Sequence, residues 1–290
     1  MKNRVFILGS EWIYLKIYCN YRISDEILFK LKSYLNKSFK SNLIEGFFFI
    51  RYNDPDYHIR LRILLTNKNE LQKVIFNLNE ILEKLMKEKY IYKVQYDSYI
   101  REIERYENSL IEDIEKIFMI DSRYVIDLLS RIEDEDSKWY IGLCLIDDLL
   151  EAFSNQILEK KIEYIKILKE SFLKEFGFNK YNSKQINSKY RESKDNVNNI
   201  ILRREYVNNQ NFTPLYKILK KRKKDLKSFI NNILSLKLKQ DIENNVELSI
   251  IHMTINRLIP AKNRLNEMLM YDFLYRCYES QKQKDKYYKN

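Results

Sequence analysis

Turn-formers are scarce in this chain. With four glycines and three prolines among 290 residues, few tight turns are available, so long elements are expected and a Gly/Pro-rich disordered or fibrous chain is excluded. No GxGxxG or GxxxxGK[ST] pattern occurs, which removes the common dinucleotide and nucleotide cradles. The three cysteines, Cys19, Cys144 and Cys277, are far apart, each inside an apolar or aromatic run. Without CxxC spacing they read as core thiols of a reducing compartment, not as a disulfide framework or zinc site. Histidines are only two, His58 and His252, and no Ser-His-Asp pattern or metal-ligand set accompanies them, so neither metal nor other cofactor is expected. No apolar run approaches the ~20 residues needed to span a membrane. The basic start MKNRVFILGSEW lacks a full signal h-region and a small-residue cleavage site, and a cytoplasmic protein is expected.

What is plentiful is core-forming and basic. A hydrophobic fraction of 45% and an aromatic fraction of 14% are globular. The net charge of +11 raises anionic partners. It comes with abundant Asn, Ile and Tyr, residues of AT-rich codons, and is no nucleic-acid footprint by itself. The run Lys220-Lys221-Arg222-Lys223-Lys224 would be spread around a helix, which suits a solvated surface. No zinc, KH, RRM or helix-turn-helix signature stands beside it, and direct nucleic-acid binding is not expected.

The stretch 46–64, GFFFIRYNDPDYHIRLRIL, reads as two strands joined by a turn at Asn53-Asp54-Pro55-Asp56. Strand alternation puts Tyr57, Ile59, Leu61 and Ile63 on one face and His58, Arg60 and Arg62 on the other. A row of like charges is either a solvated outer face or a seat for an anion, since guanidinium forks suit carboxylate or phosphate. Around this hairpin, WIYLKIYC over 12–19 reads as a strand and Ser24 as the N-cap of a helix carrying Ile27, Leu28, Leu31, Leu35 and Phe39. A second helix is expected over 69–89 and a strand over 92–99. The order β-α-β-β-α-β to about residue 100 predicts an α+β chain whose N-terminal half is ferredoxin-like. The remainder, 101–290, is expected to be a helical half packed against it, with Asp121 capping a helix over 122–132. Further helical periodicity runs over 139–176 closed by Gly177, then a polar loop near 178–199, then helices over 213–236 and 242–258, a break at Pro260 and a last helix through Tyr278 before a frayed tail.

The segments WIYLKIYC, FFFIRYNDPDYHIRLRI, YDSYIREIERY, IFMIDS and IHMTINRL, in that order, resemble the C-terminal elimination domain of class I lanthipeptide dehydratases. That domain also occurs as a separate protein in split dehydratases and, diverged, as pyridine-forming enzymes of thiopeptide pathways. The resemblance covers 12–278; its specificity lies in the combination, not in one motif. It implies β-elimination of glutamate from Ser or Thr side chains that a partner has esterified using glutamyl-tRNA, leaving dehydroalanine or dehydrobutyrine in a ribosomally made precursor peptide. It also implies Arg60, Arg62, His252 and an arginine of REIERY, Arg101 or Arg105, as catalytic residues, with His58, Arg51, Tyr99, Asn256 and Arg257 expected as substrate contacts. The chemistry agrees: a departing glutamate carries negative charge that arginines stabilise, and a histidine titrates near neutrality. The residue chemistry leaves open whether His252 is acid or base.

One departure is Glu107-Asn108, where the family often has two glycines after ERY. The length leaves no room for a glutamylating domain, so a separate glutamylating subunit is expected as partner. Two other functions stay open. One is pyridine-forming cycloaddition, for which the elimination arginines and histidine are not expected to be needed. The other is a non-catalytic module that presents the precursor peptide.

Overall fold

The computed structural model describes residues 3–132, 134–176, 180–201, 213–235 and 240–287, with side chains described over the same residues except 173–176, 180–183 and 240–245. The chain is a mixture of helix and strand and divides into two units. The first is Met1–Arg131 with Asn231–Ser235 and Asn256–Ala261; the second is Ile132–Ile230, Leu236–Ile255 and Lys262–Asn290.

The first unit contains β1 (Val5–Phe6), β2 (Trp12–Cys19), α1 (Ser24–Lys40), β3 (Ile44–Asn53), β4 (Tyr57–Leu65), α2 (Leu71–Lys87), β5 (Ile91–Asp97), β6 (Tyr99–Ile100), α3 (Ile103–Tyr106) and α4 (Ile111–Leu129). Four strands form one sheet in the order β3-β4-β2-β5, and β1 and β6 form a separate two-stranded ribbon. Every neighbouring pair is antiparallel. Alternation divides the sheet cleanly. Ile13, Leu15, Ile17, Phe49, Ile59, Leu61 and Ile63 are fully buried on one face, where Tyr96 donates to Asn79 of α2 and Arg51 reaches Asp25 of α1. The helices bring Ile27, Leu28, Leu31 and Leu35, and Val74, Leu78, Leu82 and Leu85, to this core. Each such side chain contributes ~1.5–3 kcal/mol by leaving water, and Leu15→Ala would cost ~2–5 kcal/mol through the cavity it leaves. The opposite face carries His58, Arg60 and Arg62.

The edge strand β3 is closed by side chains rather than by another strand. Ser122 of α4 accepts the Phe49 N–H at 3.1 Å. Asn256 accepts the Arg51 N–H at 2.8 Å and returns a hydrogen bond to the Arg51 carbonyl at 2.9 Å. These bonds occupy groups that would otherwise template aggregation. Gly46 explains how α4 comes so near β3, because a Cβ there would lie 2.6 Å from the Met119 sulfur.

The second unit is built from α5 (Glu135–Phe153), α6 (Leu158–Phe176), α7 (Lys180–Ile201), most of α8 (Thr213–Ser235) and of α9 (Gln240–Leu258), and α10 (Asn263–Tyr287). Asp134 caps α5 by accepting the Ser137 N–H at 2.7 Å. Cys19, Cys144 and Cys277 are separate buried thiols; burial pushes Cys19 up to about 12 and Cys277 up to about 11. Among the described residues no helix is long and apolar enough to cross a membrane. None holds a cluster of three or more metal-ligating side chains.

Several local expectations are corrected. The polar stretch near 178–199 is helical over Lys180–Ile201: it contains no glycine or proline in that span, and Ile186, Tyr190, Val197, Ile200 and Ile201 are buried at helical spacing. Asp121 caps nothing, because α4 begins a decade earlier at Ile111 and Asp121 is a buried mid-helix residue. The periodicity over 139–176 is interrupted at Asn155 and Gln156, whose φ values of 51° and 66° end α5. Ser24 is the first helical residue and donates to the Tyr21 carbonyl instead of capping α1. The tail expected to fray is helical through Tyr287. Gly177 lies outside the described residues.

Candidate functional site

Register lines up the second sheet face in rows. Arg62 lies opposite Tyr14 and Phe48, Arg60 opposite Lys16 and Ile50, and His58 opposite Tyr18 and Tyr52. On β5, Asp97, Gln95 and Lys93 continue these rows beyond β2. The face therefore gathers Lys16, Arg60, Arg62 and Lys93 on an aromatic floor.

Arg62 is 8% exposed. Its guanidinium lies 4.6 Å from the Tyr14 ring centroid, 5.2 Å from Phe48 and 4.8 Å from Tyr99. No carboxylate of the described residues pairs with it, and its buried Nε has no hydrogen-bond partner. A buried cation held by ring faces alone is stabilised far less than one with a counter-ion, which makes the position receptive to an anion. Arg60 lies 3.4 Å from the Tyr52 ring centroid, and its Nε donates to His58 Nε2 at 3.1 Å. His58 Nδ1 donates to the Asp56 carbonyl at 2.8 Å. Burial holds the His58 imidazole below its ordinary range, with Arg60 and Lys16 adding to the effect. It is thus a neutral acceptor that aims Arg60, and the face owes its charge to lysine and arginine.

Lys16 and Tyr14 were not among the residues the sequence pointed to. Their signal was the same alternation that exposed the arginine row, applied to WIYLKIYC: Trp12, Tyr14, Lys16 and Tyr18 share a face. Tyr14 is buried, and burial raises its hydroxyl above the ordinary phenol range while Arg62, Arg60 and Lys16 pull it down.

The other expected residues fall into separate groups. Arg51 is saturated: Nη2 meets Asp25 at 2.5 Å, Nη1 meets Ser24 and Tyr57, and Nε donates to the Arg257 carbonyl at 2.9 Å. Arg257 is fully buried, bonding Asp121 at 3.1 Å and Ser122 at 3.1 Å. With Asn256 on β3, these residues join FFFIRY, IFMIDS and INRL into one clamp. The bonds named here tie Arg51, Asn256 and Arg257 to protein acceptors.

Arg101 is likewise committed, its fork on Glu115 at 2.7 and 2.6 Å. Tyr99 donates to the same Glu115 at 2.7 Å while its ring faces Arg62. Arg105 is exposed and pairs with Glu102 at 3.6 Å. The basic run on α8 is spread around the helix as expected: Arg222 is buried and Lys221 and Lys224 are exposed.

In the second unit, His252 Nδ1 lies 2.9 and 3.0 Å from the two carboxylate oxygens of Glu267. The Glu267 side chain is fully buried and the His252 side chain 25% exposed. Tyr271 donates to Glu267 at 3.5 Å. A carboxylate on Nδ1 fixes the ring and keeps the hydrogen there, leaving Nε2 as the nitrogen that exchanges protons. Glu267 was missed because it lies fifteen residues away on another helix, beyond any single-helix spacing.

Residues 12–278 match the family described as lantibiotic biosynthesis dehydratase C-term; the chain belongs to that family. Nisin biosynthesis protein NisB of Lactococcus lactis subsp. lactis is 30% identical over 284 residues, a span of 94% of this chain and 26% of NisB. The chain thus covers about a quarter of that relative's length. By structure, it resembles the tRNA-dependent lantibiotic dehydratase MibB from Microbispora sp. 107891, with a TM-score of 0.76 at 16% identity, covering 96% of this chain and 29% of MibB. It also resembles TbtD, the pyridine synthase from thiomuracin biosynthesis, with a TM-score of 0.65 at 11% identity, covering 93% of this chain and 98% of TbtD.

Proposed function

We propose that this chain removes glutamate from glutamylated Ser and Thr side chains of a ribosomally made precursor peptide, generating dehydroalanine and dehydrobutyrine, in the cytoplasm and without a cofactor. A separate subunit supplies the glutamyl ester. The observation that carries this reading is Arg62, a buried cation with no counter-ion among the described residues, on a face that also holds Arg60 and Lys16.

The reaction asks for two things. A base takes the Cα proton, its electrons form the Cα–Cβ double bond, and the Cβ–O bond breaks to release glutamate as a carboxylate. Arg60 and Arg62 hold the glutamyl group by its free side-chain carboxylate and, through that grip, offset the negative charge that grows as it leaves; removing one preorganised donor of this kind typically costs ~10²–10³-fold in rate. His252, its Nδ1 occupied by Glu267, presents Nε2 for proton transfer, worth ~10²–10⁴-fold when well placed. Arg105 belongs to the reading as a further anion contact, since its Glu102 pair is exposed and weak, whereas Arg101 acts by holding Glu115 and Tyr99. His58 supports Arg60, and Tyr99 supports Arg62. A ferredoxin-like description of the first half and a domain boundary near residue 100 belong to the same proposal; the sheet order β3-β4-β2-β5 supports the former.

A second reading, pyridine formation, draws on the likeness to TbtD, which spans almost that whole protein. The two differ in substrate. Two synthetic peptides decide, one carrying a glutamyl-serine ester and one carrying paired dehydroalanines. The expected result is free glutamate and dehydroalanine from the first and no change in the second. A pyridine macrocycle from the second, without glutamate from the first, would replace this reading with the other.

A further inference from the structure

A glutamyl group delivered from an aminoacyl-tRNA is joined through its α-carboxyl, so it keeps a free α-ammonium as well as its side-chain carboxylate. Opposite charges then sit a few bonds apart. A wholly cationic surface attracts one and repels the other.

The sheet face is not wholly cationic. Among the described residues that register places on it, Asp97 is the one carboxylate. It lies across from Tyr14, which lies across from Arg62, so the three occupy one row over β5, β2 and β4. Asp97 Oδ2 meets Lys16 Nζ at 2.5 Å, and Oδ1 accepts the Ser98 N–H at 2.7 Å. The Asp97 side chain is 37% exposed and that of Lys16 only 18%, so the anionic end of the pair is the more open. A carboxylate has about four acceptor positions, and these contacts leave some unused. The hydrogen bond from Lys16, with Arg60 and Lys16 charges nearby, holds the Asp97 carboxyl below its ordinary range. It is therefore ionised at neutral pH.

Dimensions agree with a small zwitterion. Strands two apart place their backbones about 10 Å from each other. Arg62 lies 4.6 Å from the Tyr14 ring centroid and Asp97 sits across from Tyr14 on β5, so the reach of the two side chains shortens this gap toward the roughly 5 Å between the charged ends of an extended glutamyl group.

Resting on the glutamyl-ester reading, we propose that Asp97 binds the α-ammonium of the glutamyl group while Arg62 and Arg60 bind its carboxylate, with Tyr14 as the floor between them and Lys16 as the residue that positions Asp97. The face then selects an amino acid, where arginines alone would accept any carboxylate of suitable length.

The test uses two peptides identical except for the ester on one serine: glutamyl in one, and glutaryl, which lacks the amine, in the other. A charge-assisted contact corresponds to a preference of about tenfold or more. The wild-type chain is expected to show that preference in kcat/KM for the glutamyl ester. Asp97→Asn is expected to bring the ratio of the two esters to within about twofold. A wild-type chain that converts both esters equally well overturns the subsite, whatever the variant does. So does an Asp97→Asn chain that slows both esters alike with the preference retained, the mark of a merely structural ion pair. If the wild-type chain converts neither ester, the elimination reading itself has failed and the subsite falls with it.

Discussion

Arg62→Met should cost activity and spare the fold. In favour of arginine are three ring contacts, at 4.6, 5.2 and 4.8 Å, which share one cation and together contribute about 1.5–3 kcal/mol. Against it stand a buried Nε without a hydrogen-bond partner among the described residues, costing ~1–3 kcal/mol, and the desolvation of a charge with no described carboxylate beside it, costing several more. Methionine keeps the length, removes the charge and gains sulfur–ring contacts of ~0.3–1.5 kcal/mol. Unfolding free energy should therefore stay within about 1 kcal/mol of wild type, or rise, while glutamate release from a glutamylated peptide falls by about 10²–10³-fold. Arg62→Lys should fail too, by at least about tenfold, since a compact ammonium neither stacks nor forks as a guanidinium does. Urea unfolding followed by circular dichroism gives the first quantity and mass spectrometry of the peptide the second. Destabilisation beyond about 2 kcal/mol with activity lost only in proportion would mean that Arg62 is structural.

Three further outcomes follow from the same geometry. His58, held neutral below its ordinary pKa of 6.5, protonates more readily when unfolded, so its contribution is fully present above about pH 6.5 and is lost as pH falls toward its folded pKa; His58→Gln should flatten that acid-side loss in urea midpoints, and an unaltered pH slope would contradict the assignment. Arg101→Met should destabilise by ~3–5 kcal/mol by stranding the buried Glu115, and Arg101→Met with Glu115→Leu should recover much of it; a double variant no better than the single would show that the pair does not act as a unit. Glu107 has φ 61° and ψ 143°, a region that costs a side chain ~1–3 kcal/mol. Glu107→Gly should raise the urea midpoint, and a lower midpoint would mean that the Glu107 side chain stabilises this turn.

The hairpin, its helices and the cationic row were legible because each depends on local period: two for strands, 3.6 for helices. Glu107 is instructive in the same way, since the departure from the family's glycines lies where the backbone still adopts a glycine-favouring φ. What was illegible depends on neighbours distant in sequence. Arg51, Arg101 and Arg257 look like Arg60 and Arg62 on the page; only the partners Asp25, Glu115 and Asp121 show that their charges are already answered. Glu267 and Asp97 were hidden for the converse reason, ordinary acids whose meaning comes from His252 and Lys16. The α7 helix was misread because polar composition suggested a loop, although five apolar residues at helical spacing are enough to bury one side.

A peptide whose glutamylated serine carries deuterium at Cα shows whether this chain breaks the Cβ–O bond by taking the Cα proton. Hydrolysis of the ester would also release glutamate, so glutamate alone does not decide. Elimination predicts a product that has lost both glutamate and deuterium and contains dehydroalanine, formed more slowly than from the protiated peptide. Serine that retains its deuterium while glutamate appears would contradict the account.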